Sequence, residues 1–227
     1  MKMLADAFSL FFPNNCAGCG EPLLKNEKTI CTFCLADLPY TGFHREKGNA
    51  VEKLFWGKVP LEAAFALCFF SKSTRVQHLL HELKYKGNQP VGELLGKELG
   101  KQIKENERFG AIDAVVPVPL HPKKEKKRGY NQSAVIADGI CSILEKEPMK
   151  HIVVRTRETT TQTRKSRFAR WENVDSIFTV TDKKQLEGKH ILIVDDVVTT
   201  GSTLESMIQE ILKVKGTKVS VAAIACA

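Results

Sequence analysis

One short segment restricts the fold of this chain more than any other: Ile191-Leu-Ile-Val-Asp-Asp-Val-Val-Thr-Thr-Gly-Ser-Thr203. Four consecutive apolar residues, two of them β-branched isoleucines and one a valine, predict a strand covered on both faces, as in a parallel sheet. The strand closes on two carboxylates, and a loop of small hydroxyl residues then opens the helix expected from Thr203 to Val214. Such a loop at a helix N-terminus offers backbone N–H and side-chain O–H donors to a phosphate, and Gly201 lets the backbone approach closely. Asp195 and Asp196, just before it, are placed to accept hydrogen bonds from a sugar diol. Phosphate donors beside a diol acceptor describe a phosphorylated ribose. The plainer alternative is an acidic strand end with Ser202 or Thr203 as a helix cap. Capping alone does not account for two adjacent carboxylates at a buried strand end. A phosphorylation receiver would carry its acidic pair on the first strand, whereas this pair lies near the end of the chain.

The rest of the chain suits a βα alternation. Strands are expected over Leu61–Phe70, Asp113–Val118, Ile152–Arg155, Ser176–Val180, His190–Asp195 and Lys218–Ala225. Helices are expected after Ser73, with Val76, Leu79, Leu80 and Leu83 at 3.6-residue spacing, from about Val91 to Glu107, and from Asn131 to Glu145. This pattern gives an α/β fold with a parallel sheet and flanking helices over residues 61–227. Residues 1–40 hold an N-terminal helix (Leu4, Phe8, Phe11, Phe12) and a cysteine module, and residues 41–60 read as a linker. No stretch approaches the ~20 apolar residues of a membrane span, and Asp6 interrupts the apolar run near the N-terminus, leaving Phe8 to Phe12 too short for the apolar region of a secretory leader.

The 227 residues carry a formal net charge of +8. Its distribution matters more than its size. Lys123, Lys124, Lys126, Lys127 and Arg128 face only Glu125, a local +4, and Arg155, Arg157, Arg164, Lys165, Arg167 and Arg170 face only Glu158, a local +5. The remainder is therefore at −1, which excludes a histone-like protein or a polybasic tail. Two basic segments inside a folded domain suit a confined anionic ligand or a groove for a nucleic-acid strand. Lys123 to Lys127 read as a solvated lysine-rich loop, and Arg128 as a ligand contact.

Seven cysteines divide into four and three. Cys16-Ala-Gly-Cys19 and Cys31-Thr-Phe-Cys34 are two C-x2-C pairs whose knuckles can turn four thiolates onto one tetrahedral zinc. Two disulfides or a redox pair compete with that reading, but a redox site needs only one C-x-x-C. With four thiolates in place no coordination position stays open, so such a zinc is structural. Cys68, Cys141 and Cys226 sit singly in apolar stretches, and free thiols beside a zinc module imply a reducing compartment, the cytoplasm.

Taken in order, the motifs resemble the ComF family of DNA-uptake competence, proteins with a type I phosphoribosyltransferase domain. Those motifs are the four-cysteine module, Leu83-Lys-Tyr-Lys-Gly87, Val116-Pro-Val-Pro-Leu-His121 and Arg128-Gly-Tyr-Asn-Gln132. Thr159, Gln162, Arg170 and Asn173 follow, then the loop after Asp195-Asp196. The resemblance implies a site for phosphoribosyl pyrophosphate or ribose phosphate. In it Asp195 and Asp196 hold the ribose hydroxyls, and Thr199, Thr200, Gly201, Ser202 and Thr203 cradle the 5′-phosphate. The turn at Val118 and Pro119 faces the pyrophosphate, with Arg128, Tyr130, Asn131 and Gln132 in reach. Residues 156–173, bearing Arg164, Arg167 and Arg170, take the place of a closing lid. Magnesium would bridge pyrophosphate and ribose oxygens. The chain ends after the strand that follows the signature helix, so a hood over the acceptor would have to come from Lys84, Tyr85 and Lys86. The acceptor is not spelled, and a homodimer is left open. A non-catalytic competence factor that binds single-stranded DNA or a partner protein is the alternative, with Tyr85 and Tyr130 as stacking surfaces.

Overall fold

The structure, a computed structural model, describes residues 14–72, 74–156 and 177–227. The expected N-terminal helix and the lid arginines Arg164, Arg167 and Arg170 lie outside the described residues.

Four strands form one parallel sheet: β1 (Ala63–Phe69), β2 (Ala114–Pro117), β5 (His190–Val198) and β6 (Lys218–Cys226). Their order across the sheet is β1-β6-β5-β2. A separate antiparallel pair, β3 (Val153–Arg155) and β4 (Phe178–Val180), lies beside it. The apolar run of β5 serves both faces. Leu192 and Val194 enter one core, while Ile191 and Ile193 enter the other. The doubly covered strand expected from the sequence is therefore present.

The first core is covered by α3 (Arg75–Tyr85), α4 (Gln89–Lys104) and α6 (Gln132–Leu144), the second by α7 (Ser202–Ile211) and the β3–β4 pair. Helices α4 and α6 pack backbone to backbone. A Cβ placed on Gly96 would lie 2.3 Å from the Ile136 carbonyl oxygen, and one on Gly139 would lie 2.3 Å from that of Glu93. Glycine is required at this crossing for space.

The path of the chain at β2 and β5 positions the site. After β2, α6 packs on one face of the sheet, and after the neighbouring β5, α7 packs on the other. Where successive crossovers part in this way, a crevice opens at the carboxyl ends of the strands. Asp195 and Asp196 stand at that end of β5.

The stretch 41–60, read above as a linker, is folded. It holds a 3-10 turn (Phe43–Arg45) and a helical turn, α2 (Ala50–Lys53), whose Val51, together with Phe55 just beyond it, is buried in the second core. Asn49 anchors it, donating from Nδ2 to the Ala64 carbonyl at 2.8 Å. Gly42, Gly48 and Gly57 suggested a spacer there; the buried Asn49, Val51 and Phe55 tie it down. Residues 39–41 cover the free edge of β1: Phe69 N–H donates to Pro39 O at 2.9 Å and Thr41 N–H to Leu67 O at 3.0 Å. An open edge strand is thereby closed.

The lysine-rich stretch is helical, not a loop. Helix α5 (Pro122–Arg128) begins on His121, with Pro122 in its first turn, and stops at Gly129, whose φ is 85°. Proline at the start and a left-handed glycine at the end are the expected brackets of a short helix. The lysines are exposed, but they are carried on a short helix beside the crevice.

Candidate active site and cysteine cluster

The crevice contains a cavity of about 210 Å3 whose walls come from seven parts of the chain. Lys84 comes from the last turn of α3; Val118, Pro119 and Leu120 from the turn after β2; Lys124 and Arg128 from α5. Gln132 and Ser133 come from the first turn of α6, Arg155 from the end of β3, and Asp195, Asp196 and Thr203 from β5 and α7.

Asp195 lies at the centre. Its Oδ1 accepts from Ser133 Oγ at 3.0 Å and from the Asp196 backbone N–H at 2.8 Å. Burial pushes its carboxyl up to about 7, and the adjacent Asp196 charge adds to that, against the opposing pull of those two hydrogen bonds and Lys84. The site thus holds a carboxyl group that titrates near neutrality. Asp196 is the more buried of the two, with Lys84 Nζ 3.0 Å from its Oδ2. That oxygen is nonetheless without a hydrogen bond of good geometry among the described residues. A buried carboxylate oxygen left this way is ready for a donor from outside, such as a sugar hydroxyl.

Next to the pair, residues 199–203 bend round a small concavity that also touches Asp195. Gly201 is the residue before α7, at φ 75°, and no side chain caps the helix. Its first N–H groups are therefore open to an anion, and the helix dipole favours negative charge there. A Cβ on Gly201 would also press on the Phe55 ring at 3.2 Å. Phe55 comes from the stretch read as a linker, so that stretch supports the loop.

Most of the remaining residues singled out in the sequence converge here, in different roles. Arg128 donates from Nη1 to Gln132 Oε1 at 2.6 Å, and its guanidinium lies 5.4 Å from the centre of the Tyr85 ring. Asn131 holds the turn: Nδ2 donates to Val118 O at 3.0 Å, and Oδ1 accepts from Ser133 N at 3.0 Å. It shapes the site rather than facing it. Tyr130 is committed elsewhere, its hydroxyl donating to the Leu83 carbonyl while its ring packs on the first core. Lys86 is exposed and lines neither this cavity nor the larger one next to it. Sequence reasoning missed Ser133, Lys124 and Arg155 as site residues. Ser133 directly follows Arg128-Gly-Tyr-Asn-Gln132, and Arg155 opens the second basic segment, so faint signals existed.

The four cysteines Cys16, Cys19, Cys31 and Cys34 come together with all sulfurs within 4.8 Å of one another. Cys19 and Cys31 sulfurs are 3.9 Å apart, close to the ~3.8 Å edge of a tetrahedron with 2.3 Å metal–sulfur bonds, and all four are free thiols. The Cys16 sulfur accepts from the N–H groups of Gly18 at 3.3 Å and Cys31 at 3.2 Å. Burial pushes the Cys16 thiol up, but backbone donors led by Cys31 outweigh it and hold it at about 7. This cluster could hold a metal such as zinc. Cys34 sits in a short helix, α1 (Thr32–Ala36), and with Cys16, Ile30 and Leu38 it belongs to the first core, so the module packs on the sheet domain.

Residues 130–226 match the model of the phosphoribosyl transferase domain family. The chain is 29% identical over 202 residues to the DNA utilization protein YhgH of Escherichia coli K12, covering 87% of this chain and 84% of that one. It is 25% identical to competence protein F of Haemophilus influenzae, over 85% of this chain and 81% of the other. With competence protein ComFC of Bacillus subtilis it shares 32% over 90 residues, 40% of this chain and 34% of the relative. A solved structure titled as the allosteric regulatory enzyme of purine biosynthesis has a TM-score of 0.43 at 20% identity. It covers 63% of this chain and 30% of that one, a likeness too distant to carry an inference. Among the described residues no helix is long and apolar enough to cross a membrane.

Proposed function

We propose, for a chain that carries a phosphoribosyl transferase domain behind a four-cysteine cluster and is related to competence protein F and the DNA utilization proteins, that the Asp195–Asp196 crevice binds phosphoribosyl pyrophosphate and transfers its ribose phosphate. The supporting observation is the carboxylate pair itself, with Asp196 buried against Lys84, set beside an uncapped helix start and in one cavity with Lys124, Arg128 and Arg155. The 5′-phosphate would take the N–H groups of residues 201–203, and the ribose hydroxyls would donate to Asp195 and Asp196. The diphosphate would extend toward Val118–Leu120 under the cations.

In the transfer the acceptor's lone pair forms a bond to C1 of the ribose while the C1–O bond breaks. Diphosphate leaves with that electron pair, and the acceptor's proton passes to solvent. Charge grows on the leaving oxygens and at C1, so fixed guanidinium and ammonium groups on one side and carboxylates on the other stabilise the transition state more than the ground state. Asp195 and Asp196 are the carboxylates that suit a magnesium ion, which when bound would neutralise part of the diphosphate charge. Zinc on the four thiolates would hold the N-terminal module together. The relatives' names point to DNA uptake or use as the setting, and the free thiols to the cytoplasm. Holding single-stranded DNA between Tyr85 and Tyr130 is the weaker reading, because the Tyr130 hydroxyl is bonded to Leu83.

The test is titration calorimetry of phosphoribosyl pyrophosphate with magnesium into the zinc-loaded protein and into the double variant Asp195→Ala, Asp196→Ala. Binding by the wild type that is lost in the variant is expected. A folded wild type that does not bind the donor would sink the proposal.

A further inference from the structure

Two short motifs of the sequence, Leu83-Lys-Tyr-Lys-Gly87 and Arg128-Gly-Tyr-Asn-Gln132, meet through one hydrogen bond: the Tyr130 hydroxyl donates to the Leu83 carbonyl, 47 residues away. Leu83 lies in the last turn of α3, where carbonyls have no partner within the helix. The N–H groups that follow the helix return to Glu82 instead, from Lys86 at 3.1 Å and from Asn88 at 3.3 Å. The Leu83 carbonyl is thus left to Tyr130. The next residue is Lys84, whose Nζ lies 3.0 Å from Asp196 Oδ2. A lysine ammonium rides on a flexible four-carbon stem, so its reach to a buried carboxylate depends on where its backbone is held.

The residues that follow Tyr130 fasten other walls of the crevice. Asn131 Nδ2 donates to the Val118 carbonyl at 3.0 Å, and Ser133 Oγ donates to Asp195 Oδ1 at 3.0 Å. Between Tyr130 and Ser133 the chain therefore ties down the turn after β2, the end of β5 and, through the tyrosine, the end of α3. The Tyr130 ring alone would serve the first core. Its hydroxyl adds nothing to that packing and costs free energy there unless it is bonded. Burial holds the phenol above its ordinary value, against the pull of Arg128, so it keeps the proton it donates.

Resting on the donor-site reading above, we infer that Tyr130 is a positioning residue of this site: its hydroxyl pins the last turn of α3 so that Lys84 stays paired with Asp196. The pairing offsets a buried negative charge that would otherwise stand uncompensated beside the phosphates of the donor. Tyr130 does not line the crevice cavity and acts through Lys84, which does.

The experiment compares the wild type, Tyr130→Phe, Lys84→Met, the double variant and Arg75→Ala, all full-length and zinc-loaded. Competitive labelling with acetic anhydride, read lysine by lysine by mass spectrometry, needs no donor. Lys84 is expected to label at least ~3-fold faster in Tyr130→Phe, because its ion pair opens once the Leu83 carbonyl loses its partner. Lys101 and Lys213, paired with Glu98 and Glu210, should keep their wild-type rates. Calorimetric titration of phosphoribosyl pyrophosphate with magnesium should show binding weakened ~5-fold or more by Tyr130→Phe. Added to Lys84→Met, the same change should cost no more than ~2-fold further, since the two act through one contact. Phenylalanine keeps the packed ring, so a role confined to packing moves neither readout. Arg75 holds the opposite end of α3, pairing with Asp37 and lying 5.3 Å from the centre of the Phe33 ring. Arg75→Ala should leave both readouts within ~2-fold. Unchanged Lys84 labelling in Tyr130→Phe overturns the inference. So do losses of donor affinity that add in full in the double variant, or an Arg75→Ala effect equal to that of Tyr130→Phe. Should the wild type bind no donor, the crevice reading falls, while the labelling still decides whether Tyr130 positions Lys84.

Discussion

Substituting Asp195 by asparagine separates the cost of this site from its use. Asp195 is partly buried at the strand end, and burial with the neighbouring Asp196 charge raises its carboxyl from 3.8 to about 7. In the unfolded chain the group is ionised throughout the neutral range, whereas in the folded protein it keeps its proton below about 7. The folded state therefore binds more protons, and stability falls as pH rises through this window, levelling off above it. Asparagine has no such slope. Its carbonyl oxygen can take the place of Oδ1, which accepts both hydrogen bonds made by Asp195, from Ser133 and from the Asp196 N–H. Between about pH 5.5 and pH 8.5 the wild type should lose roughly 2 kcal/mol relative to Asp195→Asn, at ~1.4 kcal/mol per unit over the interval below pH 7. Urea unfolding of both proteins at the two pH values measures it, and comparing them cancels contributions from other titrating groups. The variant should be the more stable protein at high pH and should bind donor poorly. An equal stability difference at both pH values would refute the argument, since Asp195 would then be ionised throughout.

Two further outcomes follow from packing and from the cysteines. Gly139→Ala puts a Cβ 2.3 Å from the Glu93 carbonyl oxygen, so α4 and α6 must separate. A loss of ~1–3 kcal/mol is expected from such overpacking, read as a lower urea midpoint, with donor affinity in the surviving folded fraction unchanged. Stripping the metal with a chelator should release about one zinc per chain by metal analysis, as a single four-thiolate site requires. It should also lower the melting temperature, because Cys16 and Cys34 belong to the first core; an unchanged melting temperature would show that the cluster carries no metal.

The parts legible in the sequence are those written within a few residues. The apolar run 191–194, the carboxylate pair and the uncapped Thr-Thr-Gly-Ser-Thr turn are contiguous, and their chemistry follows from strand, loop and helix succeeding one another. The two C-x2-C pairs are similar, since a knuckle is a local turn. Helix α5 was legible in principle, for Pro122 and Gly129 bracket it, yet seven residues rich in lysine carry no apolar stripe to announce a helix. Stretch 41–60 has the composition of a spacer, and only its burial against β1 shows otherwise.

The sequence by itself determined which backbone turns and which acids this protein owns: a doubly covered strand, two carboxylates, an anion-ready helix start and four thiolates in two knuckles. Each follows from short-range geometry, where periodicity and turn chemistry act. Only the tertiary structure decided what those groups face. Ser133 reaches Asp195 across 62 residues of chain, Lys84 reaches Asp196 from another helix, and Tyr130 turns to the Leu83 carbonyl while Tyr85 stays exposed. These pairings depend on α6 and α7 leaving opposite faces of the sheet and on two glycines letting α4 and α6 touch. Long-range packing selects them by excluding every arrangement that leaves the two cores uncovered, and no local pattern records that choice.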